Sequence, residues 1–337
     1  MRRRAWIKRV GMLAAGAIAA AWVGVGLAAC AKGDEKSANA TVREPGPARV
    51  VATIAPLGAM ARELLPEGAR LRVLLPPGRS EHGYEPTPED IAALARADVV
   101  VFVGLGLEPR VEEFLKKNPS ARRVDLSMAA ALLLEGNEHD HEHDAHDHAD
   151  EKKAADPHAG HDHGPLDPHV WLDPVLVKSF VTPLADAIDH AVRAAGPPGA
   201  EPQAKLGASR EALAKKLDDL HAEYGAAFAP LAGRSIVTHH SAWGRLADRY
   251  GLKVAAVLRP VETTESTPAD IAKAVEAVKH HGATAIFVEP QFNNESAGRV
   301  AQAAGAKMLV LDPLGGEDYF ATMRANLAVL KEGLGGN

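Results

Sequence analysis

The chain has 337 residues, a formal net charge of −6, 46% apolar residues and only 4% aromatic residues. That length exceeds one ordinary domain, so two lobes are expected, and the mildly acidic balance gives no reason to expect nucleic acid as a partner. A single cysteine excludes an intramolecular disulfide and a cysteine-rich zinc site.

Residues 1–30 read as an export signal. Arg2, Arg3, Arg4, Lys8 and Arg9 form a basic start, Val10–Gly26 is an uncharged apolar run, and Leu27-Ala28-Ala29-Cys30 closes it. That ending resembles a bacterial lipobox, which would leave a lipidated Cys30 as the mature N-terminus; the alternative is cleavage near Ala29 with an unmodified thiol. Arg3-Arg4 also has a weak twin-arginine character. Residues 31–48, small and polar, read as a tether from membrane to domain.

From residue 49 the pattern becomes regular. Apolar runs at Val50–Ile54, Leu71–Leu75, Asp98–Val103 and Arg123–Leu126 predict strands, and helical spacing falls between them at Leu57–Leu65, Thr87–Ala97 and Pro109–Lys117. Thr87-Pro88-Glu89-Asp90 is a strong helix start, with a capping threonine, proline in the first turn and acids behind it. Strands with continuous apolar runs, alternating with helices, predict α/β architecture with parallel sheets covered on both faces. After an insertion, helices are predicted at Val175–Ala194 and at about 201–228; the second is long enough to link two lobes. The series then recurs, with strands at Ser235–Thr238, Lys253–Leu258, Ala283–Val288 and Lys307–Leu311. Thr267-Pro268-Ala269-Asp270-Ile271-Ala272 repeats the start Thr87-Pro88-Glu89-Asp90-Ile91-Ala92. The expected plan is an N-terminal lobe over 49–200, a linking helix over 201–228 and a similarly built C-terminal lobe over 229–337.

Ligands of open α/β sheets bind beyond the carboxyl ends of the strands. His82, His240, Glu289 and Asp312 all follow predicted strands, and His169 lies in the proline-framed motif Asp167-Pro168-His169-Val170-Trp171-Leu172-Asp173-Pro174. Three imidazoles and a carboxylate from two lobes suit a tetrahedral zinc ion. His239 and His240 are adjacent and point opposite ways in extended backbone, so at most one ligates. Asp312 could instead cap a helix, and Glu289 could brace the segment after it, while Trp171 could shield the site. The segment 138–164 differs in kind. His139, His141, His143, His146, His148, His158, His161 and His163 are interleaved with acids and have no apolar face, which predicts a mobile, secondary metal-binding loop.

Ser80-Glu81-His82-Gly83-Tyr84-Glu85-Pro86-Thr87-Pro88, the Asp167–Pro174 motif, His240-Ser241-Ala242-Trp243-Gly244, Val288-Glu289-Pro290-Gln291-Phe292 and Leu311-Asp312-Pro313-Leu314 occur in order over about 49–330. Together they resemble the metal-binding lipoproteins of bacterial zinc/manganese ABC importers. Glu81 stands where that family commonly has proline, and Ser241 where it commonly has an acid. The resemblance implies two lobes joined by a rigid helix, with Zn²⁺ held between them by His82, His169 and His240. It selects His240 over His239 and leaves Asp312 or water as fourth ligand. It also implies a cognate ABC permease and its ATPase, an extracytoplasmic location and a monomer that is not an enzyme. The His-rich insertion and an imidazole at 240 favour the zinc-specific branch. The alternatives are a manganese or iron importer component, a zinc hydrolase, and a periplasmic zinc store or chaperone.

Overall fold

The computed structural model describes residues 46–135, 167–196, 200–258 and 267–335. The signal segment with Cys30, nearly all of the tether and the whole histidine-rich segment from His139 to His163 lie outside the described residues. Among the described residues, no helix is long and apolar enough to cross a membrane.

The N-terminal lobe runs β1 (Arg49–Ala52), α1 (Ala55–Leu64), β2 (Arg70–Val73), α2 (Pro88–Arg96), β3 (Val99–Phe102), α3 (Pro109–Lys117), β4 (Val124–Ser127) and α4 (Met128–Glu135). Two long helices follow, α5 (Pro174–Ala195) and α6 (Ala200–Phe228). The C-terminal lobe runs β5 (Ser235–Thr238), α7 (Gly244–Arg249), β6 (Lys253–Val257), α8 (Pro268–His280), β7 (Ala285–Val288), α9 (Glu295–Ala304), β8 (Lys307–Val310) and α10 (Tyr319–Gly333).

Each lobe holds a four-stranded, all-parallel sheet, in the order β2-β1-β3-β4 and β6-β5-β7-β8. The first and third strands of each lobe are therefore central neighbours, and their carboxyl ends lie side by side. In register, Val50 pairs with Val99 and Leu71, and Val237 pairs with Ile286.

Strand alternation divides the core. Val50, Ala52, Val99 and Val101 face one way in the first sheet, as do Ile236, Ala285 and Phe287 in the second. They join one continuous cluster with α1, α5, α6 and α10. Val51 and Val100 face the other way, beneath α2 and α3, and Val237, Ile286 and Val288 lie beneath α8 and α9. The fold is thus two similar parallel α/β lobes sharing a central helical layer. Leu213, Leu217, Leu220, Tyr224 and Phe228 of α6 are all buried in that layer. Gly58 of α1 packs so closely on β2 that a Cβ there would run into Val73.

Helices α4 and α10, each following the last predicted strand of its lobe, are not among the sequence expectations, and the strand expected through Leu75 ends at Val73. Leu74 and Leu75 still donate backbone hydrogen bonds to Ala52 and Thr53, so the chain stays extended while leaving the ladder.

Candidate metal centre

His82 lies in the loop between β2 and α2. That loop is pinned by Tyr84, whose hydroxyl donates to Asp90 Oδ2 at 2.6 Å, and by Thr87 and Asp90, which cap α2 reciprocally. The His82 backbone N–H donates to Ser80 Oγ.

His169 is held by a proline-fixed turn. Asp167 Oδ1 accepts from the His169 backbone N–H at 2.9 Å, and Val170 N–H closes onto the Pro168 carbonyl at 2.7 Å. A short 3-10 turn, Val170–Leu172, then leads to Asp173, which caps α5. His240 comes just past β5, before another 3-10 turn at Ser241–Trp243.

These three imidazoles converge. Nε2 of His82 and Nε2 of His169 are 3.2 Å apart. The ring centroids are 5.3 Å apart for His82 and His169, 5.0 Å for His82 and His240, and 4.9 Å for His169 and His240. Glu81 joins them, with its Oε1 3.8 Å from His169 Nε2. One donor atom from each of Glu81, His82, His169 and His240 lies within 4.8 Å of every other. Tetrahedral zinc at ordinary Zn–N lengths separates its nitrogen ligands by about 3.3 Å. The His82–His169 spacing already matches it.

In His169 and His240 the other ring nitrogen is committed. His169 Nδ1 is 2.7 Å from Asp167 Oδ1, and His240 Nδ1 is 3.1 and 3.3 Å from the two oxygens of Glu289. A carboxylate accepts only, so each Nδ1 carries the proton and each Nε2 presents a lone pair to the cluster. Glu289 Oε1 also accepts from the Trp243 indole at 3.1 Å. Trp171 is fully buried; its ring lies 5.2 Å from His169 and its Nε1 donates to the Pro313 carbonyl at 2.8 Å. Burial holds the His169 pKa below the ordinary histidine value, against the opposing pull of Asp167. Burial pushes Asp167 up, but its hydrogen bonds and charge interaction with His169 carry it net below the usual carboxylate value.

Asp312 is not part of this group. Its Oδ1 accepts from Gln291 Nε2 at 2.7 Å and from the backbone N–H groups of Leu314 and Gly315. Its backbone is clamped by the Asn326 amide. The carboxylate is thereby spent on the turn after β8, and the carboxylate that does enter the group is Glu81. His239 is buried against Phe292 and lies outside the cluster. Sequence reasoning missed Glu81, Asp167 and Trp243 as site residues. The spacing Asp-Pro-His was a usable signal for Asp167, because the proline fixes the turn that returns the carboxylate to the ring. For Glu81 the only signal was adjacency to His82.

The ZnuA family model, described as zinc-uptake complex component A, periplasmic, matches residues 50–333. The chain belongs to the ZnuA family. It is 30% identical over 299 residues to the zinc-binding protein AdcA of Streptococcus pyogenes serotype M3, covering 85% of this chain and 56% of that one. The chain thus spans about half the length of such streptococcal relatives. It is 30% identical over 295 residues to the high-affinity zinc uptake system protein ZnuA of Bacillus subtilis strain 168, covering 85% of this chain and 87% of that one. A crystal structure of ZnuA superimposes with a TM-score of 0.66 at 25% identity, covering 86% of this chain and 99% of that one.

Proposed function

We propose that this protein captures Zn²⁺ outside the cytoplasmic membrane and hands it to an ABC permease driven by an ATPase. The observation that carries this is the convergence of three imidazoles and one carboxylate between two lobes, two of the rings having Nδ1 committed to a carboxylate. His82, His169, His240 and Glu81 are the proposed ligands, with Asp167, Glu289 and Trp243 holding the rings and Trp171 shielding them. Three nitrogens and one oxygen favour zinc over manganese, which prefers oxygen donors. A hydrolytic role is disfavoured by the same geometry, since Asp167 and Glu289 are engaged by imidazole nitrogens rather than free to act as bases.

Zinc must displace protons from imidazole, so affinity falls on acidification. For His169 the sign follows from its lowered pKa: the folded protein keeps the ring neutral, and a proton competes with zinc only below the ordinary histidine range. Chelator competition should give tight binding of Zn²⁺ over Mn²⁺ and an affinity that falls once pH drops below the ordinary histidine range. A flat profile, or preference for Mn²⁺, would sink this reading.

The histidine-rich segment is proposed to gather zinc for the tight site, and lipidated Cys30 to anchor a monomer to the membrane. Exchange Cys30→Ser should move the protein from the membrane fraction to the soluble fraction; unchanged membrane association would reject the anchor.

A further inference from the structure

Two arginines of α7 cross from the C-terminal lobe to the Asp167–Pro174 segment, and they do different things there. Arg249 donates Nε to Asp173 Oδ2 at 2.8 Å. Asp173 caps α5 and touches no imidazole of the cluster. Arg245 donates Nε at 2.9 Å and Nη2 at 2.6 Å to the backbone carbonyl of Asp167, and its Nε lies 3.9 Å from Asp167 Oδ2. Asp167 is the residue that holds the His169 ring. Two donors of one rigid guanidinium on one carbonyl restrict how the peptide at 167 can turn, and the same cation faces the carboxylate behind His169.

Arg245 is also tied to the other lobe's ligand. The stretch His240–Arg245 contains a proposed ligand, the indole that holds Glu289, and the arginine that reaches Asp167. Contact between the lobes therefore organises His240 and His169 from one short segment.

We infer that Arg245 is a positioning residue which, through Asp167, keeps His169 in its ligating orientation while the lobes are together. Separation of the lobes would then withdraw His240 and slacken His169 in one movement, which is what release of a tightly held ion requires. This inference rests on the zinc-capture reading.

The test is a zinc-affinity comparison by chelator competition, on the full chain, of the wild type, R245M, R245K, R249Q, D167A and the R245M/D167A double variant, with thermal unfolding of each without zinc. R245M should weaken zinc about 10-fold, within the range for outer partners of a metal ligand. R245K keeps the charge but not the two-pronged hold and should recover part of that loss. R249Q, which breaks a contact between the same two segments without touching Asp167, should change zinc affinity less than about 2-fold. R245M should cost little further in the D167A background, because the carboxylate through which the arginine's hold on peptide 167 reaches the His169 ring is gone. Equal losses in R245M and R249Q, or losses that multiply in the double variant, would reduce Arg245 to a general lobe contact and overturn the inference. If R245M does not fold, R245K is read against R249Q by the same criteria. A wild type that fails to bind zinc would defeat the zinc reading itself; tight wild-type binding with an unaffected R245M would defeat this inference alone.

Discussion

In the N-terminal lobe a buried carboxylate beyond β3, Glu108, accepts from the Thr53 hydroxyl, just past β1, at 2.7 Å. In the C-terminal lobe a buried carboxylate beyond β7, Glu289, meets Nδ1 of His240, just past β5, at 3.1 Å. The strand order makes these places equivalent: the first and third strands are central neighbours in both sheets. One bridge ends in a hydroxyl and closes a loop, because Glu108 also accepts from the backbone N–H groups of Val103 and Gly104. There Gly104 and Leu105 both take positive φ, the latter at 55°. The other bridge ends in an imidazole whose second nitrogen faces the proposed metal site. The same crossing between strand ends thus serves a turn in one lobe and a proposed ligand in the other. The proposed ligands of the N-terminal lobe come from elsewhere, from the loop before α2 and from the segment before α5.

The largest effect should come from those N-terminal ligands. His169→Ala removes the imidazole that stands between His82, Glu81 and His240, and zinc affinity should fall more than about 100-fold, beyond the usual loss for an outer partner. Chelator competition reads this directly. Near-wild-type affinity would mean that the cluster is not the tight site.

A smaller pair of changes sets the lobes against each other. Glu289→Gln should weaken zinc about 10-fold, because a neutral amide holds the His240 proton less firmly. Glu108→Gln should leave zinc affinity alone and cost about 1–3 kcal/mol of stability, since an amide N–H would face a backbone donor in a buried place. Burial holds the Glu108 pKa above the ordinary glutamate value. A raised pKa gives a contribution that is full below the ordinary value and lost as pH rises through the folded one. Glu108→Gln should therefore remove part of the stability difference between acidic and neutral solution. Zinc titration and thermal unfolding of both variants check this; an exchange of the two phenotypes would reject the assignment.

How much of this was legible in the sequence depended on how local the cause was. The strands are short apolar runs, and the capped start at Thr87 is written in consecutive residues, so both were readable. His82, His169 and His240 were readable as strand-end or proline-framed histidines, and the fold brings their rings together. Asp312 was judged by the same rule, yet its carboxylate is taken up by Gln291 and by a turn whose frame includes Asn326 of α10. That helix lies beyond the last element the sequence pattern predicts, so its effect on Asp312 is not legible there. Glu81 presents the reverse case. A carboxylate beside a loop histidine ordinarily faces water, but Glu81 is nearly fully buried in the group with His169 and His240, which no local pattern announces.

The smallest expected effect tests how far the likeness of the lobes extends. Both have Thr-Pro at the start of the helix after the second strand, and Ile91 N–H and Ile271 N–H close onto the carbonyls of Thr87 and Thr267 alike. At Thr87 the cap is reciprocal, and Asp90 gathers further hydrogen bonds from Tyr84 and Arg72. Burial opposes ionisation of Asp90, but these bonds prevail and hold its pKa down to about 2. A depressed carboxylate stabilises the fold above its ordinary range and loses that contribution as pH falls through the folded value. Thr87→Ala should cost about 1 kcal/mol and narrow the stability lost between about pH 4 and about pH 2. Zinc affinity should be untouched, since Tyr84 still ties the His82 loop to Asp90. Thr267→Ala should show the same cost if the repeat includes the cap. Thermal unfolding of the two variants side by side decides it: a cost confined to Thr87 would mean that the lobes share their strand order and their helix starts, but not the network that fixes the first ligand loop.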